Sequence, residues 1–573
     1  MSSHDSTPEA TNHPAGLAPL AGYAPGVPRE VEVPTTSLSE VLHAAVRAYG
    51  DKPALDFFGS TTTYAELGAQ VDAAARVLAA QGVKPGDRVS LIMPSCPQAV
   101  VAFYAVLEVG GIVVEQNPLS TAEELRRSFA DHGAAVAVVW DKLADTIAGL
   151  ALDHEVTLFT MDMTRALPLT KRLALRLPIA KARQAREAMT TRPTAGSSWE
   201  DALAQVDRAR LPQVTPHHAE SDDVALLQYT GGTTGEPKAA MLTHRNLAAN
   251  VAQSRAWVPE LREGQEVFYG ILPLFHAYGM MLCLLCAVRL GGCLVLFPRF
   301  DLDMVLDAMK RRPATFLPAV PPIYARMAEA APARGIDLGS IRWAISGAMP
   351  LPAELVEQWE ALTGGVLIEG YGMTETSPIA LGNPMAPTRR PGSVGLPYPS
   401  TEIRVVDPEN PTLDRPAGEP GELLIRGPQV FAGYWNKPEE TAAVMVEGGW
   451  LRTGDIVTVD EAGFVTIVDR IKDVIISGGF NVYPSEIEEV LREHPGVAQA
   501  AVVGVPGAAG SEDVVAVVVA EPGVSIDPAE LIAFTRQHLA GYKAPRRVEV
   551  VDELPLSAIG KVLRKDVRAD LQR

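Results

Sequence analysis

The chain has 573 residues, of which 47% are hydrophobic, so it can bury a sizeable core and wholesale disorder is excluded. Its formal net charge of -19 excludes nucleic acid as the main partner, because phosphate binding needs basic surface. No uninterrupted apolar run reaches the roughly 18 residues that a membrane-spanning helix needs.

Residues 1 to about 35 are rich in Pro, Ala, Gly and Ser and are expected to form a flexible tail. The start carries no basic stretch followed by an apolar one, so no signal peptide is expected. From Ser37 the spacing of Leu38, Val41, Leu42 and Ala45 predicts a helix. TTTYAELGAQVDAAARVLAAQG predicts a second helix, stopped by glycine before a turn and a buried strand in PGDRVSLIMPS. AVVAFYAVLEVGGIVVEQNP repeats the helix-to-strand alternation, which favours an α/β architecture with mostly parallel sheets.

Residues 160–197 differ from this pattern. LPLTKRLALRLPIAKARQAREA mixes Leu and Ile with Lys171, Arg172, Arg176, Lys181, Arg183 and Arg186, and Arg165 precedes it. This local excess of positive charge suits either a solvated surface helix or a contact with anionic lipid headgroups. Pro168 and Pro178 break any long helix there. The cysteines are Cys96, Cys283, Cys286 and Cys293, three of them in the apolar run CLLCAVRLGGC. Without a second Cys/His pair nearby, they are expected to be buried reduced thiols rather than zinc ligands. Few cysteines, no leader and no spanning segment together suggest a cytoplasmic protein, peripheral to a membrane if the basic segment binds lipid.

Near Asp469–Asp473 the pattern restarts. VAQAAVVGVP and DVVAVVVAEPG predict strands and PAELIAFTRQHLAGY a helix, which together suggest a small α+β domain. The expected organisation is a tail over 1–35, a large α/β domain with mixed and parallel sheets over 36–470, and a small mobile α+β domain over 471–573.

The strongest chemical signal is YTGGTTGEPK, from Tyr229 to Lys238. Gly231, Gly232 and Gly235 let backbone N–H groups approach a phosphate. Thr230, Thr233 and Thr234 offer hydroxyl donors, and Lys238 neutralises charge. It is not a Walker A loop, because the lysine follows Pro237 and Ala239 stands at the Ser/Thr position.

This segment resembles the phosphate loop of the adenylate-forming superfamily: acyl- and aryl-CoA synthetases, peptide-synthetase adenylation domains and beetle luciferases. The second Gly of TGG is similar to bacterial long-chain fatty-acid–CoA ligases, and Ala239 departs from the usual Gly. Further motifs follow in the family's order. LPLFHAYGM resembles the segment bordering the acyl pocket, with His276 at the aromatic position and Ala277 and Gly279, together with Gly347 further on, leaving room for a chain. SGAMPLP resembles the adenine-side loop, where Gly347 and Ala348 admit the flat base and Met349 borders the acid. EGYGMTETSP, including Gly370, Tyr371 and Gly372, resembles the motif whose Thr374 contacts the α-phosphate and whose Glu375 holds Mg²⁺.

GWLRTGD supplies Asp455 for the ribose hydroxyls, and DRIKD supplies Arg470 as a second ribose or phosphate contact and Lys472 as the hinge. Gly478 and Gly479 match the loop that approaches the pantetheine of coenzyme A. Lys561 in LPLSAIGKVLRK matches the C-terminal catalytic lysine. The resemblance implies ATP and Mg²⁺, with coenzyme A as co-substrate. A carboxylic acid, expected to be a medium- or long-chain fatty acid, would become acyl-AMP with release of pyrophosphate and then acyl-CoA. Transfer to a carrier-protein thiol, an aryl-acid substrate and an inactive lipid-binding homologue are the alternatives.

Overall fold

The structure is a computed structural model that describes residues 22–230, 237–477, 480–507, 512–557 and 560–572. Two long sheets carry the larger part. In one, the order is Ser197–Ser198, Thr157–Met161, Val136–Trp140, Arg88–Ile92, Ile112–Glu115, Val224–Thr230 and Lys238–Thr243. Neighbours are parallel throughout, except for the antiparallel pair of Val224–Thr230 with Lys238–Thr243. The other sheet has a parallel centre, Cys293–Leu296, Val267–Gly270, Phe316–Ala319, Trp343–Ser346 and Val366–Gly372. Strands buried on both faces explain apolar runs such as IVV and LVL.

The helices start where the sequence provides caps. Ser37 with Glu40, Thr63 with Glu66, and Thr121 with Glu124 each form a reciprocal capping box. Helix Pro97–Glu108 is buried along its whole length, which accounts for its apolar character on every face.

A further sheet of Glu402–Val406, Gly421–Arg426, Met445–Val446, Trp450–Val459 and Val465–Arg470 leads into the small domain. That domain holds its own core of Ile475, Val482, Ile487, Leu491, Val502 and Leu531. Its strands Val497–Pro506 and Glu512–Ala520 and helix Pro528–His538 lie where the alternation predicts them. The whole is a mixed α/β fold with a large N-terminal part and a smaller C-terminal one.

The start of the chain departs from the expected tail. Residues 1–21 lie outside the described residues, but from Gly22 the chain is an anchored strap. The Tyr23 ring meets Trp257 edge-on at 5.2 Å, and its hydroxyl donates to the Pro397 carbonyl at 2.5 Å. The Val31 N–H donates to Ser400 Oγ at 2.9 Å, and Ala24 and Val27 are buried. Prolines stiffen an extended chain that docks without a sheet partner, and composition does not separate that from a loose tail.

The basic segment forms the short helices Leu169–Ala174 and Ala180–Met189, separated at Pro178. All four cysteines are buried and free, and burial pushes the thiols of Cys96, Cys286 and Cys293 up to about 12. Among the described residues no group of three His, Cys, Asp or Glu gathers as a metal site, and no helix is long and apolar enough to cross a membrane.

Candidate active site

The Gly/Thr-rich loop spans the antiparallel pair Val224–Thr230 and Lys238–Thr243, whose last register partners are Thr230 and Lys238. Gly231, Gly232, Thr233, Thr234 and Gly235 lie outside the described residues. Lys238 makes an ion pair with Glu440, and its ammonium lies 5.8 Å from the centre of the Tyr434 ring. The Tyr434 hydroxyl donates to Glu375 Oε1 at 2.6 Å. The phosphate-loop lysine and the expected metal carboxylate thus flank one aromatic ring.

Glu375 sits in the short turn Thr374–Thr376, which follows strand Val366–Gly372. The turn needs glycine at 372, since a Cβ there would come within 1.8 Å of the Pro378 carbonyl oxygen. Glu375 is 6% exposed. Burial raises its carboxyl pKa, while Tyr434, Arg470 and Lys238 pull the other way. Thr374 is half-buried, and its hydroxyl makes no hydrogen bond among the described residues.

Asp455 and Arg470 are opposite partners on strands Trp450–Val459 and Val465–Arg470, and Arg470 Nε lies 3.0 Å from Asp455 Oδ1. The other carboxylate oxygen accepts from the Tyr371 hydroxyl at 2.5 Å. Tyr371 therefore orients Asp455 from beneath, while Gly370 continues its strand.

Lys561 joins this group from the small domain. Its loop is closed by Ser557 N–H donating to the Lys561 carbonyl at 2.7 Å and by Lys561 N–H donating to Ser557 Oγ at 3.1 Å. Burial, reinforced by Arg470, pushes the ammonium down to about 8, against the pull of Asp455. Lys472 lies in the turn Ile471–Asp473 and is depressed by burial and by Arg470, with Asp473, Asp455 and Glu375 opposing. Each of Lys238, Arg470, Lys472 and Lys561 therefore lies within electrostatic reach of Glu375 or Asp455. Such a cluster suits a polyanion that carries a sugar diol.

On the acid side, His276 caps helix Ala277–Gly279 by accepting from the Tyr278 N–H at 3.3 Å, and burial lowers its pKa. The ring is half-buried. Ala277 is 1% exposed and belongs to the packed interior. Gly279 does not leave room for a chain as expected, because a Cβ there would meet the Pro273 carbonyl oxygen at 2.3 Å. The residue is small because its own loop folds over it. At Gly347 a Cβ would meet the Tyr278 ring at 3.2 Å. The Tyr278 hydroxyl is held by the Ile345 carbonyl at 2.7 Å. Ala348 has φ +66°, and Met349 packs partly against the main core. The Ser346 hydroxyl, buried just before this turn, has no protein partner among the described residues.

Gly478 and Gly479 also lie outside the described residues. Sequence reasoning missed Tyr278, Tyr434, Glu440 and Arg564. Arg564 stands three residues after Lys561 and binds Glu488 at 2.7 Å, Asp473 at 3.0 Å and Asp469 at 3.3 Å. Burial works against its charge, but these carboxylates hold its pKa above the ordinary value. Its place in GKVLRK was the available signal. Tyr434 and Glu440 carry no local pattern.

Comparison with known proteins places the chain in a family. The family model described as AMP-binding enzyme matches residues 42–435, and that described as AMP-binding enzyme C-terminal domain matches 486–561. The chain is 38% identical over 555 residues to a long-chain-fatty-acid–CoA ligase of Bacillus subtilis, covering 95% of this chain and 96% of the relative. It is 36% identical over 511 residues to a feruloyl-CoA synthase of an Amycolatopsis species, covering 89% and 94%. Among solved structures it resembles ATP-bound MatB from Rhodopseudomonas palustris, with TM-score 0.80, 33% identity and coverage of 93% and 99%.

Proposed function

The chain belongs to the AMP-binding enzyme family and is an AMP-forming CoA ligase; from that premise we propose that its acid substrate is a long-chain fatty acid. The observation that supports this reading is a pair of spaces, lined largely by apolar side chains together with Arg255 and Arg289, between the strap and strand Trp343–Ser346. A cleft of about 690 Å³ lies under the strap, walled by Val41, Tyr104, Val251 and Leu285. A second space of about 10 Å³ shares Val251, Arg255 and Arg289 with it and reaches Phe316 and Ile345. Ile345 lies on strand Trp343–Ser346, just before Gly347. As it stands the small space is too narrow for a methylene group, so this reading requires side chains there to rotate and open it as a neck. A flat aryl acid would stop on the near side of it. Similarity to the Bacillus subtilis ligase supports the same reading.

In the first half-reaction a carboxylate oxygen of the acid attacks the α-phosphorus of ATP, and pyrophosphate leaves. Lys238 and Lys561 stabilise the charge on the transferring group, and Thr374 supplies a hydroxyl donor beside it. Asp455, fixed by Tyr371 and Arg470, accepts from the ribose hydroxyls. Glu375 suits Mg²⁺, because one buried carboxylate that shares its load with phosphate oxygens is the pattern this ion favours. When bound, the ion would neutralise phosphate charge. In the second half-reaction the coenzyme A thiolate attacks the acyl carbon and AMP leaves. The small domain turns about Lys472 between the two, withdrawing Lys561 and bringing the Gly478–Gly479 loop to the anhydride.

The test is competition among acids of graded length together with ferulate and benzoate, with acyl-CoA products read by mass. A long-chain acid should give the highest kcat/KM. Preference for ferulate or benzoate would overturn the fatty-acid reading. Formation of acyl-AMP without any acyl-CoA would point to a carrier-protein thiol as the acceptor.

A further inference from the structure

We infer that the helical pair Leu169–Ala174 and Ala180–Met189 docks on an anionic lipid bilayer. The segment has apolar side chains of two kinds. Leu167 and Ala182 are buried, and Leu175 and Met189 pack against the main core. These tie the segment down. The other set points away: Leu169 is 67% exposed, and Leu173, Leu177 and Ile179 are each 53% exposed. Four large apolar side chains within eleven consecutive positions form one exposed patch, not scattered surface residues. Among the described residues nothing covers them.

The charges around the patch choose its partner. From Arg165 to Thr191 the chain carries seven basic residues and one acidic residue, Glu187, within a protein of net charge -19. Lys171 is held over the Phe58 ring at 4.9 Å, and Arg165 pairs with Asp162 and Asp201. Arg176, Lys181, Arg183 and Arg186 make no ion pair among the described residues. They stand exposed on either side of the Leu177–Ile179 turn. In a protein whose net charge is negative, such a group gives an anionic surface a local point of attraction. Unpaired cations beside outward leucines match a layer whose headgroups are negative and whose interior is apolar. The long stems of Arg and Lys let the charges reach headgroups while the leucines sink below them. The proposal is independent of which acid the enzyme activates.

The experiment is flotation of the full chain with vesicles of phosphatidylcholine alone or mixed with phosphatidylglycerol, at low and high salt. The wild type should float with the anionic vesicles at low salt and separate from them at high salt. Arg176→Gln/Lys181→Gln/Arg183→Gln should bind on the order of a hundredfold more weakly, at about 1 kcal/mol per charge. Leu173→Ser/Leu177→Ser/Ile179→Ser should also bind more weakly, with its charge unchanged. Each variant alters exposed side chains only, and an unchanged Tm and unchanged turnover of a soluble short acid would establish that it is folded. The inference is overturned if the wild type ignores anionic vesicles at low salt, if it binds neutral vesicles equally well, or if both variants bind like the wild type.

Discussion

Asp455 and Arg470 face each other across two antiparallel strands, with Arg470 Nε 3.0 Å from one carboxylate oxygen and the Tyr371 hydroxyl on the other. The carboxylate is thus aimed before any ligand arrives. Asp455→Asn keeps the shape and removes the charge that both neighbours read. Hydrogen bonds to charged groups are worth roughly 1.5–3 kcal/mol, so KM for ATP should rise on the order of ten- to a hundredfold. The specific readout is 2′-deoxy-ATP. The wild type should discriminate against it strongly and the variant weakly. An equal penalty in both would remove Asp455 from the ribose.

Tyr434 links the two ends of the phosphate site. Glu375 must be ionised to hold a cation, and burial already raises its pKa, so its contribution is lost as pH falls through that raised value. Tyr434→Phe removes the hydrogen bond that opposes the rise. The acid limb of the adenylation profile should therefore move to higher pH, by on the order of one to two units for a bond to a charged group. Higher Mg²⁺ should recover part of the loss. Rates measured between pH 5 and 8 would test this, and an unmoved acid limb would show that Glu375 does not bear the charge that matters.

Lys561 has the opposite sign. Its ammonium is pushed down to about 8, so its charge is lost as pH rises through that value. kcat/KM for ATP in the free enzyme should fall above about pH 8. Lys561→Ala should abolish most adenylation and remove this basic limb. It should largely spare thioester formation from a supplied acyl-adenylate. Equal loss in both half-reactions would refute the division of labour.

Lys238, Glu375, Asp455, Arg470 and Lys561, which the structure brings near one another, stood out because they lie in short runs of small, charged and hydroxyl residues at fixed spacing. Both sheets were legible because buried strands must be apolar. Arg564 was not legible as a clamp, because its partners Asp469, Asp473 and Glu488 lie 76 to 95 positions away and no local pattern joins them. Gly279 was misread for a related reason. A missing side chain can mean an open pocket or a backbone folded close, and only the position of the Pro273 carbonyl separates the two. The strap from Gly22 was hidden by composition, since anchoring through Tyr23 and Val31 needs partners nearly four hundred residues away.

Ala252 lines the large cleft but not the neck. Ala252→Trp should shorten the chain that fits without touching the reacting end. Each methylene no longer buried costs about 0.8 kcal/mol, or roughly fourfold in kcat/KM. Long acids should therefore lose progressively with length while short acids hold their rates. A uniform fall across all lengths would place the acyl chain elsewhere.

The hinge offers the most direct test of two-pose catalysis. Lys472 lies inside the short turn Ile471–Asp473, between two carboxylates, Asp469 and Asp473, that Arg564 binds together. In this pose Lys561 lies within electrostatic reach of Asp455 and Arg470, which is the arrangement the proposed adenylation step calls for. A turn of this type has φ near -50° to -70°, and proline fixes φ near -65°. The Lys472 N–H donates no backbone hydrogen bond among the described residues, so proline there removes none. Its ring does press on Ile471, the residue before it, which proline pushes away from helical geometry. Lys472→Pro should therefore slow adenylation only several-fold. If the small domain turns about Lys472 as proposed, Arg564 must leave Asp469 and the backbone at 472 must rotate, and proline resists that rotation. Acyl transfer to coenzyme A should fall by orders of magnitude more. Single-turnover measurement of each half-reaction would show this asymmetry. If both ran near wild-type rates, Lys472 would not be the pivot, and the turning point would move to its neighbours Arg470 or Asp473.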